Sequence, residues 1–328
     1  WLGPFAQKLA RLAGKDMVLP MNTGAEAVET AIKVARKWGH QVKGLPQDRG
    51  EIIAMHGNFH GRTTTIISFS DDETARADFG PYSPGFRLAD FGDVDSLQQA
   101  ITPETVAVLL EPIQGEAGII VPPKNYFKRV KEILDHYGVL FIADEVQTGF
   151  ARTGRMFAIE HFGVAPDIMT MAKALGNGAP ISAFIATPEI ADTYTKPGAS
   201  TLGGNPVSTT AGLEVIRYIE EHDLIGNADR RGAQLRAGLE EIQQRHPIIG
   251  DIRGLGLMVG AEFVHVDKSP AAAELDIVIE ELKNRGFIVG KNGISRNVMA
   301  FQPPLVVTEE NISDVLNALE LVLTEKGF

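Results

Sequence analysis

Short apolar runs alternate with amphipathic segments along most of the chain, and this alternation predicts an α/β fold. The runs are rich in valine, isoleucine and leucine without a polar face, so both faces of the sheet should be covered by helices. The predicted strands are Glu51–Met55, Thr105–Leu110, Val139–Ala143, Ile168–Ala172 and Ile181–Ala186. Apolar residues at helical spacing predict helices at Ala25–Trp38, Tyr126–Tyr137, Val207–His222, Asp229–Arg245 and Ala271–Arg285.

The last third of the chain has a different pattern. Gly254–Phe263 and Gly286–Val289 resemble strands of a smaller α+β unit that closes with a helix at Glu309–Leu323. We therefore predict a large α/β domain over residues 1–212 and a small α+β domain over residues 213–328. At the other end, Trp1–Leu12 already follows a helical pattern without a lead-in, so we expect a further segment upstream.

Composition narrows the class of protein. The chain has 328 residues, a net charge of −11 and no cysteine. The negative charge argues against a protein that binds the phosphate backbone of nucleic acids, and the lack of cysteine excludes disulfides and thiolate metal clusters. No apolar run approaches the roughly 20 residues of a membrane-spanning helix. We expect a cytoplasmic enzyme with neither a membrane nor a nucleic-acid partner.

The first long helix begins with a possible anion site. Thr23 and Glu26 have the spacing of a capping box, which is an ordinary way to begin a helix. Alternatively, Gly24 would let a phosphate reach the backbone N–H groups at the positive end of the helix dipole. The spacing alone leaves both interpretations open.

Two carboxylates, Asp144 and Glu145, follow the apolar strand Val139–Ala143, and in α/β sheets ligand groups gather at such strand ends. A nucleotide hydrolase would also need a Gly-x-x-x-x-Gly-Lys-Ser/Thr loop, but residues 286–292 are one residue short and end in Asn292.

Two other ligand classes also fit poorly. The glycines of residues 254–260 are too widely spaced for dinucleotide binding and lead into a strand. A metal pair of His56 and His60 has no further ligand set in the sequence.

Lys173 ends another apolar run and precedes a glycine-rich turn. Most lysines are solvated, but one that is partly desolvated after a buried strand has a lowered pKa and can form a Schiff base with an aldehyde. Pyridoxal phosphate requires an anion-binding helix start, a carboxylate for its ring nitrogen and a lysine for its aldehyde. Gly24, Asp144 and Lys173 together therefore predict this cofactor.

Motifs over nearly the whole chain resemble ornithine aminotransferases, which are class III pyridoxal-phosphate-dependent aminotransferases of fold type I. The matching segments, in family order, are residues 21–39, 57–63, 111–118, 144–149 and 200–206. The resemblance implies a large domain with a mostly parallel central sheet and a smaller C-terminal domain. It also implies transfer of the amino group of an ω-amino acid or diamine to a keto acid by a ping-pong cycle.

The resemblance also implies roles for individual residues. Lys173 would hold the cofactor covalently and shuttle a proton, and Asp144 would pair with the protonated ring nitrogen. Gln147 would bond the ring hydroxyl, while Phe59 and Val146 would cover the two ring faces. The remaining cofactor residues would be Gly24 and Ala25 at the phosphate, His60, which stands where some members have tryptophan, and Thr201. Thr201 would reach the phosphate of a neighbouring subunit, which makes a homodimer the working unit, and Arg62 and Glu116 would contact substrate.

Ala300 departs from the family pattern, since an arginine is expected two residues before the turn at Gln302. In the family this arginine binds a keto-acid carboxylate or pairs with the carboxylate that is Glu116 here. Its replacement puts the glutamate half-reaction in doubt and suggests one alternative to transamination, an amino-acid racemase or epimerase with the same cofactor, since that reaction needs no second keto-acid substrate. The abrupt start at Trp1 suggests another alternative, a non-catalytic fragment that acts as an assembly module.

Overall fold

A computed structural model describes residues 1–195, 198 and 200–328. The chain divides into two compact units that interleave in sequence. The first unit comprises Trp1–Pro112, Pro122–Phe150 and Phe157–Glu221, and the second comprises Ile113–Val121, Ala151–Met156 and His222–Phe328. The boundary predicted between residues 212 and 213 lies inside a helix of the first unit, and a single boundary does not describe the two short stretches that join the second.

The first unit is built on a sheet that is mostly parallel. In the described residues its strands lie in the order β1-β7-β6-β5-β4-β2-β3, and β7 alone runs against the others. The strands are β1 (Met17–Met21), β2 (Glu51–Met55), β3 (Phe86–Ala89), β4 (Thr105–Leu110), β5 (Leu140–Asp144), β6 (Ile168–Met171) and β7 (Ser182–Ala186). Every residue of β4 to β7 is buried, which confirms the expected cover on both faces.

Helices cover this sheet. They are α1 (Leu2–Ala13), α2 (Gly24–Gln41), α3 (Glu73–Arg76), α4 (Val94–Ala100), α5 (Tyr126–Tyr137), α6 (Pro188–Ala191) and α7 (Pro206–Glu221), with single 3₁₀ turns at Ile66–Phe69, Ala158–Phe162 and Lys173–Leu175. The apolar stripe of α2, including Val28, Ile32 and Ala35, packs in one core with the sheet residues Ile52 and Leu109. Burial of this stripe fixes α2 against the sheet.

The second unit has an antiparallel sheet in the order β10-β11-β9-β8. Its elements are α8 (Leu224–Arg245), β8 (Ile249–Leu255), β9 (Met258–Phe263), α9 (Ala272–Asn284), β10 (Gly290–Asn292), β11 (Val298–Phe301) and α10 (Glu309–Lys326). The strand predicted over Gly254–Phe263 is confirmed for Met258–Phe263, but its start was wrong, because Gly256 has φ +52° and turns the chain between β8 and β9. The strand predicted at Gly286–Val289 was also wrong, since β10 begins only at Gly290.

Over the part of the chain that the structure describes, no helix has both the length and the apolar run that crossing a membrane requires.

Candidate active site

A pocket of about 340 Å³ lies at the edge of the first unit's sheet where β4, β5 and β6 end. The carboxyl ends of parallel strands meet at one edge, so residues that follow different strands come together there. The lining includes the predicted residues of the helix start and the turn after β2, namely Gly24, Ala25, Phe59 and His60. It also includes those that end or follow β5 and β6, namely Asp144, Val146, Gln147 and Lys173.

The start of α2 forms one wall of the pocket. The Thr23 hydroxyl accepts a bond of 3.2 Å from the Glu26 N–H, and the Glu26 carboxylate accepts bonds of 2.7 and 2.9 Å from the N–H groups of Asn22 and Thr23. Burial would raise the pKa of Glu26, but these bonds outweigh it and lower the pKa. The predicted capping box is confirmed, and the first-turn N–H groups of Gly24 and Ala25 have no acceptor within the helix.

Gly24 also allows the helix start to approach the turn after β5. A Cβ atom at Gly24 would lie 2.9 and 3.1 Å from the two γ-carbons of Val146, closer than side chains normally pack. This close contact alone therefore favours glycine at the start of α2.

Asp144 ends β5 with its side chain at the base of the pocket, and it is only 3% exposed. Its Oδ1 accepts bonds from the Thr170 hydroxyl at 2.9 Å and from the Val146 N–H at 3.1 Å. Its Oδ2 lies 2.6 Å from Nδ1 of His60. The carboxylate is therefore fixed in orientation by contacts from three segments of the chain.

His60 is buried beside this carboxylate. Burial lowers its pKa, but the hydrogen bond and the charge of Asp144, with a smaller contribution from Glu111, outweigh burial and raise the pKa overall. Glu111 follows β4 and accepts a bond of 3.1 Å from the Phe59 N–H, so it also holds the turn that carries Phe59. The contact with Asp144 therefore favours the protonated form of His60, which lines the same pocket.

Lys173 follows β6 and begins a 3₁₀ turn with φ at +45°, a left-handed conformation that a lysine adopts only where its surroundings impose it. Its side chain lines the same pocket as Asp144. We predicted partial desolvation, but Lys173 is exposed.

Two of the predicted residues of the first unit lie outside the pocket lining. The Arg62 guanidinium is exposed and lies 5.9 Å from the centre of the Phe59 ring. Thr201 is also exposed, and its neighbour Ser200 accepts a bond of 2.6 Å from the Asn22 side chain, next to the start of α2. This bond places the loop that carries Thr201 beside the helix start.

Glu116 and Ala300 belong to the second unit. Glu116 is exposed, and its loop is held by the Gly293 N–H on the Glu116 carbonyl and the Asn292 amide on the Gly115 carbonyl, each at 2.9 Å. Ala300 lies in β11, is 5% exposed and packs with Ile113, Ile119 and Met258.

Sequence reasoning missed several residues that build the site. Thr170 and Glu111 received no role, although Glu111 stands in a motif that matched the family. Glu145 was noted only as the second carboxylate after the strand. It is fully buried, and burial raises its pKa to about 7 against the hydrogen bonds that it accepts.

These residues fit pyridoxal phosphate on structural grounds. The close approach at Gly24 leaves two helix-start N–H groups beside the pocket, where a phosphate is favoured by the helix dipole. A buried, oriented carboxylate at a strand end suits a protonated ring nitrogen, and Phe59 and Val146 supply apolar walls. Lys173 supplies an amine in the same pocket.

The family model described as aminotransferase class-III matches residues 2–323. An ornithine aminotransferase from Oceanobacillus iheyensis is 45% identical over 326 residues, which are 98% of this chain and 79% of the relative.

Solved structures agree with the sequence matches. The ornithine aminotransferase of Toxoplasma gondii ME49 has a TM-score of 0.94 and 38% identity, covering 99% of this chain and 77% of that one. A second structure of the Toxoplasma gondii enzyme has a TM-score of 0.93 and 39% identity, covering 100% and 78% of the chains, and its description mentions partial occupancy of pyridoxal phosphate at the active site.

Proposed function

The chain belongs to the class-III aminotransferases, and from that premise we propose that its amino donor is ornithine or a closely related ω-amino acid or diamine. It is an enzyme with the PLP-dependent fold type I, its cofactor is pyridoxal 5′-phosphate, and it transfers an ω-amino group by transamination. The similarity to ornithine aminotransferases favours neither of the two alternatives, the racemase and the assembly module. The observation that carries the proposal is that one pocket contains Gly24, Asp144 and Lys173 together.

When bound, pyridoxal phosphate supplies an aldehyde and an electron-accepting ring. In the proposed cycle, Lys173 would hold the cofactor through its amine until the substrate amine replaces it. The freed Nζ would then move one proton between the amine-bearing carbon of the substrate and C4′ of the cofactor, in one direction in the first half of the ping-pong cycle and in the opposite direction in the second. Lys173 is exposed, so it can meet substrate from solvent.

Asp144 holds a proton on the ring nitrogen in this proposal. A carboxylate beside a ring nitrogen favours its protonated form, and water competes little for a side chain that is 3% exposed. The bonds from Thr170 and Val146 and the pair with His60 keep the carboxylate from rotating away. Preorganised groups of this kind cost no reorganisation during the reaction.

The other predicted residues bind and orient the cofactor. The N–H groups of Gly24 and Ala25 bind the phosphate, Phe59 and Val146 enclose the ring, and Gln147 bonds the ring hydroxyl. His60 supports the ring from behind Asp144, with which it forms a buried pair at 2.6 Å.

Arg62 and Glu116 are proposed to bind substrate. Arg62 carries an exposed cation next to the Phe59 ring, which suits a substrate carboxylate. Glu116 carries an exposed anion, which suits a substrate ammonium. Ala300 offers no charge at the position where the family places an arginine, so we propose that the enzyme is selective among keto acids and uses α-ketoglutarate poorly.

We also propose a homodimer in which Thr201 of each subunit reaches the phosphate of the other. Leu202 follows Thr201 directly and Val207 lies six residues after Thr201, and they are 65% and 78% exposed, so this segment presents apolar surface that a second subunit would cover. We also propose a cytoplasmic location, from the composition of the chain.

A donor and acceptor screen tests the proposal. Ornithine, aliphatic diamines and γ-aminobutyrate are each incubated with pyruvate or α-ketoglutarate, and the amino-acid product is measured. We expect turnover with an ω-amine, and with pyruvate above α-ketoglutarate. Activity restricted to α-amines, or racemisation of one enantiomer without keto acid, would overturn the proposed function.

A further inference from the structure

Glu145 is a buried carboxylate that the proposed chemistry does not use. It follows Asp144 directly, is 0% exposed, and is absent from the residues that line the pocket. Its Oε2 accepts bonds from the Thr148 hydroxyl and from the Ala158 N–H at 3.1 Å, and its Oε1 accepts the Ile159 N–H at 2.8 Å. The side chain therefore joins the turn after β5 to the 3₁₀ turn that begins at Ala158.

The backbone of Glu145 holds the same turn. Its N–H donates to the Thr170 carbonyl and its carbonyl accepts the Gly149 N–H, both at 2.9 Å. The pair Val146 and Gln147 lies between Glu145 and the residues that bond to it, Thr148 and Gly149. Any displacement of the Glu145 side chain is thus passed to these two pocket residues.

We propose that Glu145 is a positioning residue whose carboxylate holds Val146 and Gln147 in the orientation in which they contact the cofactor. This inference rests on the proposed function, because it assumes that Val146 and Gln147 bind pyridoxal phosphate. Glu145 itself does not touch the pocket, so its effect passes through the turn.

The pattern of donors explains why a carboxylate is needed. The two backbone N–H groups reach different oxygens of Glu145, so both oxygens must accept. A glutamine would turn its NH₂ group towards one of these N–H groups and leave it unsatisfied. Burial disfavours the charged form of Glu145 and raises its pKa to about 7, and the charge of Glu160 also raises this pKa. A group retained only to fill space would be apolar.

The chain offers a matched control. Glu160 belongs to the same 3₁₀ turn and accepts a bond of 3.1 Å from the Phe157 N–H, but its side chain is not among the partners of Thr148. Because Glu160 accepts with one oxygen only, E160Q can keep this bond while it removes a carboxylate charge from the same turn, and it does not cut the link to Val146 and Gln147. T148V cuts that link while keeping the carboxylate and both backbone bonds.

The experiment compares the holoenzymes of wild type, E145Q, T148V and E160Q. Four properties are measured: the dissociation constant of pyridoxal phosphate, the absorption maximum of the bound cofactor, the unfolding temperature, and kcat and KM. We expect E145Q and T148V to bind the cofactor about tenfold more weakly, as for the loss of one buried hydrogen bond, and to shift the absorption maximum. E160Q should leave both cofactor properties unchanged and should keep the unfolding temperature close to that of wild type.

Equal cofactor affinity and absorption in all four proteins would overturn the inference and leave Glu145 a purely structural residue. If E145Q does not fold, T148V decides the question, because it retains the carboxylate. A wild-type chain that bound no pyridoxal phosphate would instead overturn the proposed function, and the inference with it.

Discussion

Nδ1 of His60 lies 2.6 Å from Oδ2 of Asp144, and both side chains are almost completely buried. The raised pKa of His60 follows from this contact, since the hydrogen bond and the charge of Asp144 outweigh the effect of burial. The pair therefore favours a positive charge on His60, beside the carboxylate that is proposed to hold the ring nitrogen.

Replacing His60 with asparagine should destabilise the protein in a pH-dependent way. Removal of one partner of a buried pair typically costs about 3–5 kcal/mol. Because the folded pKa of His60 is raised, its stabilisation is fully present below the unfolded pKa of about 6.5 and is lost as the pH rises through the folded value. Urea unfolding of wild type and H60N at pH 6 and pH 9 should therefore show a larger difference at pH 6.

The control for this prediction is H56N. His56 pairs with Asp71 at 3.0 Å, but its side chain is 50% exposed. H56N should therefore lower the free energy of unfolding by no more than about 1 kcal/mol. A loss in H60N no larger than in H56N, or one that grew with pH, would contradict the proposed charge of His60.

Replacing Gly24 with alanine should destabilise the cofactor-free chain by about 1–3 kcal/mol, the usual cost of overpacking. The added carbon would lie 2.9 Å from Cγ1 of Val146. The double variant G24A/V146A should recover part of the loss, because it removes the clashing atoms. G3A is the control, since nothing lies within 4 Å of that carbon in α1. A G24A protein as stable as wild type would show that the contact yields easily.

Lys173 should be the residue that borohydride fixes to pyridoxal phosphate in the holoenzyme, as detected by peptide mass spectrometry. K173A should lose turnover by about 100- to 10,000-fold, as expected for removal of a general acid–base group, while still binding the cofactor reversibly. Lys15 is the stringent control, because burial, its largest influence, lowers its pKa as in reactive lysines. Label on Lys15, or loss of turnover in K15A, would refute the assignment.

Arg253 should protect the loop of the second unit that carries Glu116. Its Nε donates to the Gly118 carbonyl at 2.9 Å, and its guanidinium pairs with Asp251 and Glu262. In R253Q, amide exchange over residues 113–121 should rise about tenfold, corresponding to the loss of one charged hydrogen bond. R236Q, which loses a long bond of 3.5 Å to Gly254, should leave that exchange unchanged. Equal exchange in both variants would exclude this role.

The buried Glu145 should make stability fall as the pH rises. Its pKa is about 7 in the folded protein against an ordinary value of 4.5, so its contribution is complete below about 4.5 and is lost through pH 7. At about 1.4 kcal/mol per unit this amounts to about 3 kcal/mol. The difference in unfolding free energy between wild type and E145Q should follow this titration. E160Q keeps Glu145 and removes only the smallest influence on its pKa, so it should retain most of the wild-type slope. A difference that does not change with pH would contradict the raised pKa.

The sequence predicts the site as far as local signals reach. Apolar runs locate the ends of β5 and β6, and the N-cap locates the start of α2, so Asp144, Lys173 and Gly24 can be named from the order of residues alone. The parallel arrangement of β5 and β6 then brings the first two to one edge.

Pairings between distant residues leave no such signal. His60 and Asp144 are 84 residues apart, and Thr170 reaches Asp144 across 26 residues. Glu145 shows a different limit. Successive side chains of a strand point to opposite sides, so the carboxylate next to Asp144 turns away from the pocket, but the sequence does not say which of the two faces it.

The second unit draws on stretches of chain that lie far apart. Ile113 and Ile119 pack with Ala300, and the Leu257 N–H donates to the Arg152 carbonyl at 3.0 Å. A polypeptide that begins after residue 221 would therefore lack two segments that belong to the second unit. A chimera that exchanges the second unit between two relatives must therefore include residues 113–121 and 151–156 as well as residues 222–328.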